Sequence, residues 1–504
     1  MLIIVIVASL TLLVPLAVFT PPKDNEVWLF QTIAEMQGHQ RYVPVLNNEP
    51  LYGKNPLTLT ALTFLPTRHI SIPRLISCAL GCILVSCIFL YSLALFDLSS
   101  AFASSIVVMT TLGFLALFGT LNLIALPVVL AVSAFTLFSL AYVKHLNSGL
   151  YIISYILAAL AAATGGYFLL LFILLAGLML ILLDLEPSKL FSIHLLTGLA
   201  IIGCSMTAYF LSYRFLLGPG FSGGAFSVGE HLGLFRSIYA IITYASPWVF
   251  LVIPAWLYGG GPSEQETWRK LLPSRIAIVM VFFMLWVSSS GLPQYATILM
   301  MFAAPLIGCW ISRGIFFGSQ KSTFGFWMMV LSGIVVFASA LVLLLLPLRY
   351  GFALHAEQLI AGAGLLTATL LFIIFTVQRK MAAQFTLIVI AVVSVVGDLA
   401  FLSPEDQWDR KLSYMEGISI NTPLVVYEDD LVMRGYMSRV NASPMIVDRD
   451  IVPFHGTAFI AVSTADLGGF LDGLKGRMRS VVLETYRAEN TYALVMISPK
   501  KKGD

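Results

Sequence analysis

Charge is scarce in this sequence. Asp, Glu, Lys and Arg together make up 11% of the 504 residues, whereas hydrophobic residues make up 59%. This hydrophobic fraction is higher than that of a typical soluble globular protein, so the excess apolar surface must face lipid. The net charge of +3 is small and spread along the chain, which excludes the basic surface of a nucleic-acid-binding protein.

Cysteine and metal-ligand clusters are scarce as well. None of the five cysteines belongs to a CxxC pair, and all of them lie in apolar runs. Disulfides and a metal site are therefore disfavoured, and no His, Asp or Glu cluster has the spacing of metal ligands. Buried cysteines that pack as small hydrophobic residues are the preferred interpretation. They are Cys78, Cys82, Cys87, Cys204 and Cys309.

Long apolar runs are abundant. Runs close to the roughly 20 residues that cross a bilayer recur about 13 times, which predicts an α-helical polytopic membrane protein. They are residues 2–20, 72–96, 101–118, 121–143, 151–163, 167–183, 191–216, 245–258, 276–289, 295–315, 324–346, 352–377 and 382–402. The first run lacks a basic start, which favours an uncleaved anchor. A signal peptide cleaved after Ala17 is the alternative.

The basic residues between these runs predict the orientation. With the amino terminus in the cytoplasm, the basic connections fall on the cytoplasmic side, and the short connections 118–120 and 290–294 have no Lys or Arg. An odd number of spans then exports the carboxy terminus. The basic residues are Lys144, Lys189, Arg269, Lys270, Arg275, Arg313, Lys321, Arg379 and Lys380.

The composition changes at residue 403. Short β-branched and apolar runs predict strands, and two segments between them predict helices. The alternation predicts a small extracytoplasmic α/β domain at 403–504, after a transmembrane domain at 1–402 that includes the polar loops 21–70 and 217–240. The predicted strands are 423–427, 445–447, 458–462, 481–483 and 492–498, and the predicted helices are 432–441 and 465–479.

The polar segment 21–57 concentrates charge between two apolar runs. Charge held beside a membrane face usually serves function, so this segment is the candidate site, with a solvated connector as the alternative. Residues 24–38 have apolar side chains at helical spacing, which predicts a helix lying on the interface and ending at Gly38. The charged residues are Lys23, Asp24, Glu26, Glu35, Arg41, Glu49 and Lys54. A second, glycine-rich loop at 218–236 is either a flexible linker or a substrate gate.

Several short motifs together resemble one family. They are GHQRYVP at 38–44, NNEPLYGKNPL at 47–57, SIPRLIS at 71–77, Pro247–Trp248 and SSSGLPQY at 288–295. Their order is similar to that of the polyprenyl-phosphate-sugar-dependent GT-C membrane glycosyltransferases. The similarity is to the aminoarabinose transferases and protein O-mannosyltransferases (glycosyltransferase family 39-like).

The resemblance implies a GT-C-like fold with an exported α/β tail. It also implies transfer of a sugar from a polyprenyl-phosphate donor to a lipid, glycan or protein acceptor outside a bacterial inner membrane. No cofactor is evident, a divalent cation at the phosphate stays open, and so does a protein partner. The resemblance assigns Asp24 and Glu26 to catalysis, and Arg41, Tyr52, Lys54, Arg74 and Tyr295 to substrate binding. His231, in the glycine-rich loop, is a further candidate for a polar contact with the substrate.

Each assignment has a plainer alternative. The two acids can stabilise the start of the interface helix, Lys54 and Arg74 can reach lipid headgroups, and Tyr295 can belong with Trp248 to an interfacial aromatic belt. His231 can simply be exposed in its loop.

Five positions depart from the family pattern. One is Asn25, which takes the first place of the acidic pair, with Asp24 one residue earlier. Gly53, Gly165 and Gly291 stand where the family has a glutamate and two lysines, and Asn122 stands where an aspartate is expected. A degenerate member that binds a lipid or a partner without catalysis is therefore the main alternative. A transporter is a weaker one, because the spans carry almost no buried charge and no inverted repeat is visible.

Overall fold

The structure, a computed structural model, describes helices, strands and a few isolated residues. The described ranges are 1–19, 44–46, 49–50, 56–64, 71–144, 148–165, 167–183, 193–217, 248–257, 265–287, 296–315, 424–427, 445–447, 458–463, 478–487 and 491–499, with single residues or pairs between them. The chain divides into two compact units, one of Met1–Thr20 with His39–Leu402 and one of Pro21–Gly38 with Ser403–Asp504. The division at residue 403 coincides with the change in composition, whereas the sequence analysis grouped 21–38 with the transmembrane domain.

The first unit is built from helices. They are α1 Leu2–Phe19, α2 Pro56–Thr63, α3 Ser71–Leu95, α4 Leu98–Met109, α5 Leu112–Phe118, α6 Ala125–Lys144, α7 Ser148–Gly165, α8 Tyr167–Leu183, α9 Ile193–Leu217, α10 Val252–Leu257, α11 Gln265–Val287 and α12 Ala296–Cys309. A 3₁₀ turn at Trp248–Leu251 precedes α10, and a π-helical turn at Trp310–Ile315 continues α12. The two-residue strands β1 Val45–Leu46 and β2 Glu49–Pro50 pair antiparallel in the first polar loop.

Aromatic side chains fill the middle of this unit. Phe135 of α6, Phe172 of α8 and Phe302 of α12 meet with ring centroids 5.1–5.8 Å apart. The Ser154 hydroxyl of α7 donates to the Ala134 carbonyl of α6 at 2.9 Å, and the Phe138 ring of α6 meets the earlier Tyr151 ring of α7 at 5.8 Å, so these two helices run antiparallel. Helices α6, α7, α8 and α12 thereby share one buried core.

Two described helices, Ile72–Leu95 and Ala125–Lys144, are long and apolar enough to cross a membrane. The pair α4 and α5 would make a third if it forms one span, although it bends by 66°. Five shorter apolar helices, with windows of 10–17 residues, accompany them. These helices fit the membrane protein that the composition predicts. The predicted spans 324–346, 352–377 and 382–402 lie almost entirely outside the described residues.

The predicted span 101–118 is not one continuous helix, because α4 and α5 replace it. The hydroxyls of Thr110 and Thr111 donate to the carbonyls of Ile106 and Val107 at 2.6 Å, and α4 ends there. Threonine hydroxyls that bond back to the preceding turn bend helices. Two other predicted spans have different bounds, because α11 begins at Gln265 instead of residue 276, and residues 248–257 form only a 3₁₀ turn and α10.

Helices α4 and α12 approach each other through small residues, at a place we call the α4–α12 contact (Asp97, Ser100, Ser104, Gly308 and Ser312). Asp97 caps α4 by accepting the Ser100 N–H at 2.7 Å. The Ser100 hydroxyl donates to the Ser312 hydroxyl at 3.2 Å, and Ser312 donates to Asp97 Oδ1 at 3.4 Å. A hydroxyl network therefore joins the start of α4 to the end of α12.

The five cysteines are free thiols. Cys78, Cys82 and Cys309 are buried, as predicted, whereas Cys87 is half-buried and Cys204 is exposed on α9. The expectation of burial is therefore wrong for Cys204.

The second unit holds a mixed five-stranded sheet in the order β4-β3-β5-β7-β6. Its strands are β3 Leu424–Tyr427, β4 Met445–Val447, β5 Ala458–Ser463, β6 Met478–Arg487 and β7 Thr491–Pro499. All five strands overlap predicted ones, although β6 is ten residues long where three were predicted. The predicted helix 465–479 ends too late, since Met478 and Arg479 belong to β6. Leu471 is the residue of that helix that the structure describes, and the predicted helix 432–441 lies outside the described residues.

The segment Pro21–Gly38 of this unit is helical where it is described. Leu29, Ile33 and Met36 are buried at helical spacing, as is Thr32. The predicted interface helix is therefore present in part. Of the apolar residues used to predict it, Ile33 is described, and Val27, Phe30 and Ala34 lie outside the described residues.

Candidate functional site where the first loop meets the helix ends

Of the eight predicted site residues, Arg74 is the one that the structure describes. Asp24, Glu26, Arg41, Tyr52, Lys54, His231 and Tyr295 lie outside the described residues. The site is therefore approached through the helices that enter and leave the first loop, which are α1, α2 and α3.

Arg74 lies in the first turn of α3 and is buried, with 1% of its surface exposed. Its Nη1 donates to the Ala17 carbonyl in the last turn of α1 at 3.3 Å. The last four carbonyls of a helix have no partner within that helix. The guanidinium thus supplies a donor that the end of α1 needs.

One turn after Arg74, further contacts join α3 to α1 and to the end of α5. The Cys78 thiol lies 3.5 Å from the carbonyls of both Leu13 and Phe118, and so touches α1 and the end of α5. A Cβ on Gly81 would lie 2.8 Å from Leu13 Cδ1 and 2.9 Å from Phe118 Cβ. We call this three-helix meeting point the first-loop junction (Ala17, Arg74, Cys78, Gly81 and Phe118). Since Ala17 faces Arg74 and Leu13 faces Cys78, α1 and α3 run antiparallel.

Helix α2 begins two residues after Lys54 and packs against the end of α7. Pro56 occupies its first position, where a missing N–H costs nothing. The Thr58 hydroxyl donates to the Thr164 carbonyl at 3.2 Å. The first turn of α2 therefore lies against Thr164, next to Gly165, one of the positions where the family pattern loses a charge.

Thr60 of α2 differs from its neighbours in its hydrogen bonding. Its hydroxyl oxygen is buried and has no hydrogen-bond partner in the described part of the chain. Most described helix threonines, such as Thr63 and Thr164, donate to a carbonyl of the preceding turn. Sequence analysis missed α2 and its threonines, although Pro56 followed by apolar and β-branched residues was a usable signal.

A second buried polar contact involves Trp248. Its indole N–H donates to Thr110 Oγ1 at 2.9 Å, at the break between α4 and α5, and 3% of its surface is exposed. The prediction that Trp248 belongs to an interfacial aromatic belt is therefore wrong. Next to this break, a Cβ on Gly113 would lie 2.6 Å from the Tyr244 carbonyl, so these backbones are in close contact.

Metal ligation has no support among the described residues, where no three His, Cys, Asp or Glu side chains form a group that could hold an ion. The carboxylates of the first loop lie outside that part of the chain. What the described elements provide is a buried guanidinium at the end of α1 and, two residues after Lys54, a helix that packs against the end of α7.

Comparison with known proteins identifies the fold. No protein-family model and no curated protein matches the sequence. ArnT from Cupriavidus metallidurans bound to undecaprenyl phosphate matches with a TM-score of 0.74 at 13% identity, over 98% of this chain and 97% of that chain. Its apo structure matches with a TM-score of 0.71 at 14% identity, over the same shares. The apo oligosaccharyltransferase of Archaeoglobus fulgidus gives a TM-score of 0.49 at 12% identity, over 98% of this chain and 74% of that chain.

The chain therefore has the fold of ArnT. The GT-C-like fold that the sequence motifs imply is confirmed, because nearly the whole of both chains superposes.

Proposed function

We propose that this chain is a membrane glycosyltransferase that moves a sugar from a polyprenyl-phosphate carrier to a lipid, glycan or protein acceptor. The observation that carries the proposal is the match to ArnT with undecaprenyl phosphate, at a TM-score of 0.74 over 98% of this chain. The motifs at 38–57 and 288–295, which resemble the same family, support it independently of the fold.

The reaction sets the residue roles. The acceptor oxygen bonds to the anomeric carbon, the bond from that carbon to the carrier phosphate breaks, and the acceptor proton passes to a carboxylate. Cations then stabilise the departing phosphate. We assign the base to Asp24 or Glu26 and the phosphate contacts to Lys54 and Arg41. Tyr52, His231 and Tyr295 are assigned to the sugar or the lipid, and Arg74 is considered below.

The proposed setting is a bacterial inner membrane with about 13 spans, a cytoplasmic amino terminus and an exported α/β domain after residue 402. Lys144 at the end of α6 and Lys270 at the start of α11 fit a cytoplasmic side. A reporter that is active only outside the cytoplasm, fused after Asp504, should be active. Activity of a cytoplasmic reporter at the same point would reverse this topology.

The central test is transfer by the purified protein in nanodiscs, supplied with radiolabelled polyprenyl-phosphate sugars and a pool of acceptors. Either Asp24→Asn or Glu26→Gln should lower the rate by about 10²–10⁴-fold, the usual loss for a general base. Stability should change by less than about 0.5 kcal/mol, as for most surface positions. Glu35→Gln, in the same segment, is the matched control and should keep its rate.

Normal rates in both variants and in the double variant would contradict the assignment of the base. Parallel reactions with and without EDTA test whether a divalent cation holds the phosphate. If EDTA leaves the rate unchanged, the cations of the chain suffice.

A binding protein without catalysis is the second candidate, because Gly53, Gly165 and Gly291 replace charged residues of the family pattern. This candidate predicts that the wild-type protein transfers no sugar from any donor, although undecaprenyl phosphate raises its melting temperature. Detectable transfer by the wild type would exclude it.

A further inference from the structure

Arg74 needs partners for a buried charge. With 1% of its surface exposed, its guanidinium cannot rely on water, and burying a charge is costly unless it is hydrogen-bonded. The Ala17 carbonyl, 57 residues earlier in the chain, takes one of its N–H groups at 3.3 Å. The side chain is therefore directed at the backbone of α1.

The last turn of α1 needs this support. Pro15 lies inside the helix, has no N–H, and leaves the carbonyl four residues earlier without its usual partner. The final carbonyls, including that of Ala17, have no partner within the helix. It is therefore these end carbonyls that need a donor from another helix.

Helix α3 supplies these contacts. A positive charge at a helix carboxy terminus is favourable, because the exposed carbonyls carry partial negative charge. Arg74 places its charge there, and one turn further along α3 Cys78 touches the Leu13 carbonyl. The position of the end of α1 is thus set by residues of α3.

We infer that Arg74 is a positioning residue that holds the last turn of α1, and does not itself bind the carrier phosphate. This inference deepens the proposed function and rests on it for its catalytic part. Asp24 follows the end of α1 at Phe19 by five residues in the sequence, and this short connection is the proposed link between the anchored turn and the base. The phosphate is left to Lys54 and Arg41.

Hydrogen exchange of the full chain in nanodiscs tests the anchoring without any need for turnover. Arg74→Met should make the amides of residues 16–20, 23 and 24 exchange about tenfold faster, as expected when a hydrogen bond to a charged group is lost; Pro21 and Pro22 have no amide hydrogen. Arg275→Met is the matched control, since Arg275 is also buried, with 6% of its surface exposed, and lies on α11. It should leave these amides unchanged. Unchanged exchange in Arg74→Met would overturn the inference, whether or not the wild type transfers sugar.

Ligand binding and kinetics separate positioning from direct contact. In Arg74→Met, kcat should fall by about tenfold or more, whereas KM for the donor should stay within about twofold of wild type. The rise in melting temperature with undecaprenyl phosphate should also persist. A rise in KM with loss of that thermal response would make Arg74 a phosphate ligand and overturn the inference.

If Arg74→Met does not fold, the same hydrogen-exchange and melting measurements are made on Arg74→Lys. It keeps the charge but replaces the planar, multidentate donor with a single ammonium group. Positioning predicts faster exchange at the same amides with an intact response to undecaprenyl phosphate. Wild-type exchange in Arg74→Lys, together with a weakened response to undecaprenyl phosphate, would contradict it.

Discussion

The first-loop junction and the α4–α12 contact bury polar groups in opposite ways. At the first-loop junction a long side chain, Arg74, reaches across to the backbone of α1. At the α4–α12 contact, side-chain volume is removed, since Gly308 lies against Ser104 and Ser100. The first-loop junction depends on the long side chain of Arg74, whereas the α4–α12 contact depends on the lack of a side chain at Gly308.

The α4–α12 contact is an example of general helix packing, whereas the first-loop junction is a specific interaction at one helix end. Small residues that let two backbones approach, with serine hydroxyls bonded between them, are the usual way in which helices associate in a membrane. A buried arginine that supports a neighbouring helix end is uncommon, because burying its charge is costly. We therefore expect the position of such an arginine to matter for function. We therefore expect the α4–α12 contact to govern stability, and the first-loop junction to govern stability and turnover together.

The largest effect should come from Gly308→Ala. Its Cβ would lie 2.3 Å from Ser104 Oγ and 2.7 Å from both Ser100 O and Ser104 N, and the last two are backbone atoms that cannot turn aside. Overpacking of this kind should cost about 3 kcal/mol of unfolding free energy. Thermal unfolding in detergent measures it. Gly203→Ala on α9 is the control, because a Cβ there meets nothing within 4 Å, and it should be neutral or up to about 1 kcal/mol stabilising.

Gly81→Ala should have the next largest effect. Its Cβ would press on Leu13 Cδ1 and Phe118 Cβ at 2.8 and 2.9 Å, and the Leu13 side chain can move. We expect a loss of about 2 kcal/mol in unfolding free energy. Because the end of α1 would shift, kcat should also fall while KM for the donor holds. A stability loss without any change in kcat would remove the proposed link between this junction and catalysis.

Asp97→Ala should have a smaller effect, confined to stability. It removes the acceptor of the Ser100 N–H and of the Ser312 hydroxyl. Loss of a helix N-cap typically costs about 1 kcal/mol. Asp97→Asn, which keeps an acceptor oxygen, should lose less than half of that in the same thermal unfolding experiment. An equal loss in both variants would mean that the charge of Asp97, and not its capping bond, is what stabilises.

Ser92→Ala should have the smallest effect, with the opposite sign. Ser92 is fully buried in α3, and its hydroxyl has no hydrogen-bond partner within the described residues. Removing an unsatisfied hydroxyl, together with the better helix propensity of alanine, should stabilise by about 0.5–1 kcal/mol. Destabilisation would show that this hydroxyl does have a partner, as the polar groups at the two contacts do.

The sequence predicts regular elements well and contacts poorly. The helix Tyr167–Leu183 and the strand Met445–Val447 have the predicted bounds, because an apolar run or a β-branched run between breaks is a local signal. The break at Thr110 was missed because paired threonines are also tolerated in straight helices. The first turns of α11 were missed because Arg269 and Lys270 interrupt the apolar pattern.

The site is less predictable still. Arg74 could be singled out from its motif, but its partner is a backbone carbonyl, which has no signature in the sequence. The same holds for Thr58, whose acceptor is the carbonyl of Thr164. The roles of Asp24, Glu26 and Lys54 stay predictions, since these residues lie outside the described part of the chain.

The bond between Arg74 and Ala17 also has a consequence for biosynthesis. Helix α1 is made first, but the donor that completes its last turn is encoded 57 residues later. While the ribosome is still translating the first loop, that turn has no arginine to close it. The last turn of α1 can therefore take its final form only after α3 has been synthesised and inserted beside α1. Insertion of α3 is thus a required early step in assembly.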